Sequence, residues 1–256
     1  MKAPLNIVKV GGQVVEDEAS LHLLLDAFCE LKGNRILVTG GGRVATGIAS
    51  KLGLESLMLN GRRITDEPML HVVTMVYAGL VSKTVVAELQ ARGVNAVGLC
   101  GADMNIIRSV RRPVAPIDYG FVGDVSEVNV PALRTLVGSG AVPVLCPITH
   151  DGAGQLLNTN ADTIAQSVAS ALAAEYDVTL TFCLEKNGVL LDPEDPSSVI
   201  RELRYEDYRR YREAELISGG MIPKLDNAFA AIDAGVNKVV ITNAAALGKD
   251  SGTEII

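Results

Sequence analysis

Long apolar runs are scarce in this 256-residue chain, although 48% of its residues are apolar. Gly, Asp or Lys breaks each run short of the roughly 20 residues that cross a bilayer, which excludes a membrane protein built on apolar spans. Neither a basic leader with an apolar core nor an Arg/Ser-rich transit composition precedes Leu5-Asn6-Ile7-Val8-Lys9-Val10. A soluble protein that stays in the cytoplasm is the expectation. Cysteine is sparse, and Cys29, Cys100, Cys146 and Cys183 form none of the close pairs that a zinc site or redox motif requires. They read as reduced core thiols, and no metal-ligand cluster is expected. Positive charge is in deficit, with a net charge of −7, and no basic stripe is interleaved with aromatics. Nucleic acid is therefore not expected as a partner. The three histidines, His22, His71 and His150, belong to no motif, and there is no internal repeat or low-complexity tract.

What is present is a regular alternation. The β-branched runs Leu5 to Val10, Arg35 to Thr39, Asn95 to Cys100, Val142 to Cys146, Val178 to Cys183 and Lys238 to Ile241 read as buried strands. Helical period marks Asp17 to Lys32, Arg43 to Leu52, Glu67 to Arg92, Val130 to Val137, Ala161 to Ala174 and Pro223 to Ala234. Strands separated by helices pair in parallel with right-handed crossovers, so the fold class is an α/β, three-layer αβα sandwich with a mainly parallel central sheet. Ile106 to Val110 and Tyr119 to Val125 flank Arg111-Arg112-Pro113 and predict a projecting β-hairpin. Asp192-Pro193-Glu194-Asp195-Pro196 predicts a turn-rich loop beside a mobile lid.

An acidic protein that handles an anion must gather a few Lys, Arg and backbone amides locally. Lys9 ends the first strand just before Gly11-Gly12, at the edge where open α/β sheets bind ligands, although a solvated lysine would look the same. The second strand runs into Gly40-Gly41-Gly42 and then a helix, which leaves bare amides at a helix N-terminus. That loop fails as a P-loop because Ile48-Ala49 stand where Lys and Ser/Thr are needed. As a dinucleotide fingerprint, Gly40-x-Gly42-x-x-Ala45 fits, but Leu59-Asn60-Gly61 offers no acidic ribose ligand, and a plain tight turn also remains open. Arg62 and Arg63 follow the Asn60-Gly61 turn, where Arg63 suits a carboxylate clamp or the open surface. Asn158-Thr159-Asn160-Ala161-Asp162 puts two amides and a carboxylate ahead of a helix, either as a cap or as a polar ligand site. Lys224, after Ser218-Gly219-Gly220 and beside Pro223, opposes the dipole of the helix it starts, and broken local rules point to function.

In that order, Lys9-x-Gly11-Gly12, Gly40-Gly41-Gly42, Arg63, Gly120-Phe121-Val122-Gly123-Asp124-Val125, Asn158 to Asp162 and Gly219-Gly220-Met221-x-x-Lys224 resemble the amino acid kinase family. The Asn-x-Asn-Ala-Asp run is similar to the acetylglutamate kinases within it. The resemblance spans Ile7 to Ile255 and implies one amino acid kinase domain over residues 1–256. Its N-terminal lobe, about 1–174, would hold an N-acylated glutamate and dimerise; its C-terminal lobe, about 175–256, would hold ATP. It further implies ATP-dependent phosphorylation of the acylglutamate side-chain carboxylate, the second step of arginine biosynthesis, with Mg2+ held through the nucleotide phosphates.

By the same resemblance, Lys9 and Lys224 flank the transferred phosphoryl group and Asp162 holds both ammonium groups. Gly11 and Gly12 would present amides to ATP, and Gly41, Gly42, Arg63, Asn158 and Asn160 would bind the acceptor. Glu185, Lys186, Gly188, Leu216, Ile217, Ser218 and Gly219 would line the adenosine site. Three departures stand out: Thr39 where a histidine usually precedes the glycines, Met104 for a usual glycine, and Glu185-Lys186 for Asp-Val or Thr-Asp. The first two are expected near the acceptor, leaving acetyl and succinyl as alternative acyl groups. A nicotinamide-dependent oxidoreductase and a non-catalytic amino-acid sensor are the rivals; neither accounts for Lys9, Asp162 and Lys224 together.

A carboxylate acceptor is ionised at pH 7, so no general base is needed. Arginine-inhibited hexameric members carry a helix ahead of the first strand, which here starts by about Leu5. The expectation is an arginine-insensitive homodimer formed through Val72, Val73, Val76, Leu80 and Val81 of the long helix.

Overall fold

The computed structural model describes residues 2–59 and 61–256; Asn60, expected in the turn before Arg62 and Arg63, lies outside the described residues. In chain order the strands are β1 (Ala3–Val10), β2 (Asn34–Thr39), β3 (Met58–Leu59), β4 (Arg62–Arg63), β5 (Ala96–Leu99), β6 (Ile107–Arg111) and β7 (Gly123–Val128). They continue as β8 (Val142–Leu145), β9 (Ile148–His150), β10 (Leu156–Asn158), β11 (Tyr176–Leu184), β12 (Glu202–Leu203), β13 (Lys238–Asn243) and β14 (Thr253–Ile255). The helices are α1 (Gly12–Glu16), α2 (Glu18–Glu30), α3 (Gly42–Lys51), α4 (Glu67–Thr74), α5 (Ser82–Ala91), α6 (Val130–Gly138), α7 (Ala161–Leu172), α8 (Tyr205–Glu213) and α9 (Met221–Asp233).

Eight strands form the central sheet in the order β12-β14-β13-β11-β1-β2-β8-β5. Its neighbours run parallel except β13 and β14. Four of these strands come from residues before 175 and four from residues after it, so one sheet unites both halves. Successive side chains of β1 point to opposite faces. Leu5 and Ile7 join the core under α6, α7 and α9, and Val8 and Val10 join the core under α2 and α5. A strand buried on both faces reads as a near-continuous apolar run, and in β1 the fully buried stretch Ile7–Val10 is apolar except at Lys9. That exception lies on the face shared with α7.

The expected hairpin forms from β6 and β7, and β9 and β10 extend it into a second, four-stranded sheet. Gly120 bridges this sheet to Thr65 at φ 73°, where a Cβ would stand 2.2 Å from the Thr65 carbonyl oxygen, so only glycine fits.

The long helix corrects two expectations. Glu67–Ala91 is continuous over 25 residues through a π-helical turn at Met75–Val81, and by length and composition it could cross a bilayer, although half of its most apolar window is buried inside the fold. Val72, Val73, Val76 and Val81, assigned above to a dimer face, are instead packed in the interior against α3 and the second sheet. The face turned outward bears Met75 and Leu80, each more than half exposed. The π turn shifts the helical register, so a 3.6-residue period drawn straight through the sequence misplaces that face.

Candidate active site

Alternation along β1 aims Lys9 at α7, and the first turn of α7 holds Asp162 beneath it. Asn160 caps that helix, its Oδ1 accepting from the Asp162 and Thr163 amides at 2.8 and 3.0 Å, which fixes the carboxylate's direction. The Lys9 ammonium lies 2.8 Å from Asp162 Oδ1, a buried ion pair. From α9, the Lys224 ammonium reaches Oδ2 at 3.4 Å. Burial alone would raise the Asp162 carboxyl, but the Lys9 and Lys224 charges outweigh it and hold the group below its ordinary 3.8. A depressed carboxyl contributes stability that is complete above pH 3.8 and lost as pH falls through the folded value. Asp162 is thus ionised throughout the neutral range. Two ammonium groups on one carboxylate leave a net positive charge in a largely buried setting, which an anion is suited to neutralise.

Two glycine loops close around this cluster. An added Cβ on Gly40 would lie 3.7 Å from the Gly12 amide nitrogen, and one on Gly12 would lie 3.9 Å from that of Gly42, so the loops face each other across a narrow gap. Gly42 begins α3, whose first amides have no intrahelical partner. Gly11 does not offer its amide as expected, because that N–H donates to the Cys183 carbonyl at 3.1 Å. It anchors the loop to β11 instead.

Two adjoining cavities meet at Lys9, Gly12, Gly42 and Arg63. The smaller, about 190 Å³, is lined further by Gly41, Arg62, Tyr77, Asn158, Asn160 and Asp162. The larger, about 420 Å³, reaches Lys224, Gly11 and Glu185. Arg63 is buried, and its terminal nitrogens already donate to Gly42 O (2.7 Å), Thr46 Oγ1 (2.9 Å) and Ser56 Oγ (2.8 Å). It therefore braces the glycine loop as well as facing the cavity, which a pure clamp would not do. The Asn158 side-chain amide donates to Thr65 Oγ1 at 2.9 Å and its backbone N–H donates to Phe121 O, so the Gly120–Gly123 motif ties this wall of the smaller cavity to the second sheet. Asn160 reaches the same cavity, but its carbonyl oxygen is spent on the cap.

A third cavity, about 210 Å³, gathers Lys186, Gly188, Leu216, Ile217 and Ser218 with Val189, Leu190 and Met221. Gly219 follows Ser218 outside that lining, at a left-handed φ of 58°. The Asp192–Pro196 turn supplies Pro193 to the cavity rim, where its carbonyl accepts from Lys186.

Two departures do not lie where the sequence suggested. Thr39 is fully buried, its hydroxyl donating to Leu145 O, and Met104 sits in an exposed turn; neither lines the smaller cavity. Met104 has φ 51°, the left-handed region where glycine is the relaxed choice.

The family model described as "Amino acid kinase family" matches residues 4–243. The chain belongs to the amino acid kinase family. It is 58% identical to an acetylglutamate kinase from Bacteroides fragilis, covering 100% of this chain and 98% of that one. A Cytophaga hutchinsonii acetylglutamate kinase is 48% identical, with 98% of each chain covered. Among solved structures, smu.665 from Streptococcus mutans superposes with a TM-score of 0.82 at 25% identity, covering 98% of both chains.

Pattern reading passed over two residues here. Tyr77 lines the smaller cavity and Thr65 accepts from Asn158, but one is an aromatic at a helical position and the other a single threonine, where core packing is the default reading. The four cysteines are free, and burial pushes the Cys146 and Cys183 thiols up to about 12, so those two stay protonated.

Proposed function

We propose that the chain uses ATP to phosphorylate the side-chain carboxylate of N-acetylglutamate, a step of arginine biosynthesis. The observation that carries this reading is the Lys9–Asp162–Lys224 cluster set between facing glycine loops, where the two cavities join. Phosphoryl transfer between two anions requires positioning and charge neutralisation along the line of transfer, with little covalent work. Lys9 and Lys224 supply the charge, and Asp162 keeps both ammonium groups apart and aimed. The smaller cavity takes the acylglutamate, its α-carboxylate toward Arg63 and its acylamide toward Asn158. The larger cavity takes the phosphates, and the cavity beside Leu216, Ile217 and Ser218 takes adenosine. Among the described residues no cluster of three His, Cys, Asp or Glu could bind a metal, and Asp162 is committed to two lysines. Mg2+ would be held through the nucleotide's phosphate oxygens, where it would add to the neutralisation.

One observation favours a second acyl group. Arg62 lines the acceptor cavity half-buried, and its guanidinium is disfavoured first by burial and then by the Arg112 charge, with Asp124 only partly compensating. An anion beside it relieves both effects, which suits N-succinylglutamate with its extra carboxylate. ADP release measured with N-acetylglutamate, N-succinylglutamate, glutamate, aspartate and carbamate separates the readings: one acylglutamate is turned over at least about tenfold better than the unacylated acceptors. Equal or absent turnover with every acceptor overturns the proposal.

A homodimer joined through the outward face of the long helix, at Met75 and Leu80, completes the reading.

A further inference from the structure

Tyr77 is a polar side chain of the acceptor cavity to which the reading above gives no role. Tyr77 lies on the π-helical turn, is 5% exposed, and lines the cavity with Gly41, Gly42 and Arg63. A π turn interrupts the regular helix at a cost in hydrogen-bond geometry and recurs at functional sites. Here it sets the ring beneath Gly41, where an added Cβ would stand 3.0 Å from a ring carbon, so that glycine at φ 145° is required for the loop to lie on the ring.

The hydroxyl sits at the other end of the ring, beside Gly42 and the Arg63 guanidinium. An added Cβ on Gly42 would be 3.9 Å from the Tyr77 hydroxyl oxygen and 3.8 Å from Arg63 Nη2. A guanidinium is all donor, so the phenol turns its oxygen toward Arg63 and has its own O–H left to give. Burial pushes the phenol up and the Arg63 charge only partly offsets this, so the proton stays on at neutral pH. Among the described residues no side-chain or backbone acceptor takes that O–H.

Resting on the functional reading above, we propose that Tyr77 is an acceptor-binding residue whose hydroxyl donates to the α-carboxylate oxygen held by Arg63. Arg63 and Tyr77 together then make a two-donor seat for one carboxylate, built from β4 and from the π turn. The seat binds ground and transition states alike, so its loss raises KM and spares kcat.

The test is steady-state kinetics of wild type and Tyr77→Phe with the acylglutamate that wild type uses, and with the α-carboxamide of the same acceptor. Tyr77→Phe raises KM for the acid about tenfold, as expected for one hydrogen bond to a charged group. The KM for ATP and kcat change less than about twofold. With the α-carboxamide, the two enzymes differ by less than about threefold, because the carboxylate that the hydroxyl served is gone. An active wild type with an unchanged acceptor KM in Tyr77→Phe overturns the assignment, as does an equal loss on acid and amide. A fall in melting temperature without a KM change means packing only and overturns it too. A wild type with no acceptor-dependent ADP release overturns the functional reading, and this inference with it.

Discussion

Lys9 is a charged side chain on a strand that is otherwise buried on both faces, and burial of that kind is tolerated only with a partner. Asp162 is that partner, and sharing it with Lys224 leaves one positive charge unbalanced. A purely structural ion pair would be neutral. The excess suits a transferred phosphoryl group, and it argues for lysine at both positions where any shape-matched residue could fill the space. Lys9→Met and Lys224→Met, which keep the stem and remove the charge, should each lower kcat about 10²-fold or more while KM for either substrate moves little. Retention of more than a tenth of wild-type kcat in both variants would contradict the role. At this scale the sequence was partly legible. Lys224 was visible as a lysine against its helix dipole, whereas Lys9 resembled any strand-end lysine and needed the resemblance to stand out. Gly11 was misjudged because nothing in Gly11-Gly12 says which amide β11 will occupy.

Elements with strong periodicity followed the sequence closely. Asp17 caps α2 through Ser20, and the apolar face of Leu21, Leu24, Leu25 and Phe28 is buried. The six β-branched runs all became strands of the central sheet. Short or polar elements did not show. β12 and β14 have two and three residues, too few for a pattern. In α8 the tyrosines, Tyr205, Tyr208 and Tyr211, are the only large apolar side chains, and Tyr208 alone is buried, stacked on Phe229. The π turn hid for a different reason, since an inserted residue changes register without changing composition. Met104 shows the reverse case, a departure whose meaning lay in the backbone and not in the ligand. Because it is more than half exposed at φ 51°, Met104→Gly should relieve strain and lose little packing, stabilising the fold by about 1 kcal/mol. The urea midpoint should rise with an unchanged slope; a fall would mean that the methionine side chain contributes more than the turn costs.

In the whole molecule, one sheet supports two kinds of pocket on its carboxyl edge, and the second sheet braces the smaller cavity. That leaves the long helix with an outward face, bearing Met75 and Leu80, that none of the described residues covers. Leu80→Asp places a charge there without touching the core and should yield monomers by light scattering where wild type is dimeric. A wild-type monomer would refute the dimer, and a variant that stays dimeric would move the interface elsewhere.

The central claim is that phosphate is placed on a carboxylate. An acyl phosphate reacts with hydroxylamine to give a hydroxamate, whereas a phosphate on oxygen of an alcohol or on nitrogen does not. With ATP, the acylglutamate and hydroxylamine, the enzyme should form hydroxamate in step with ADP. ADP release without hydroxamate would contradict the account.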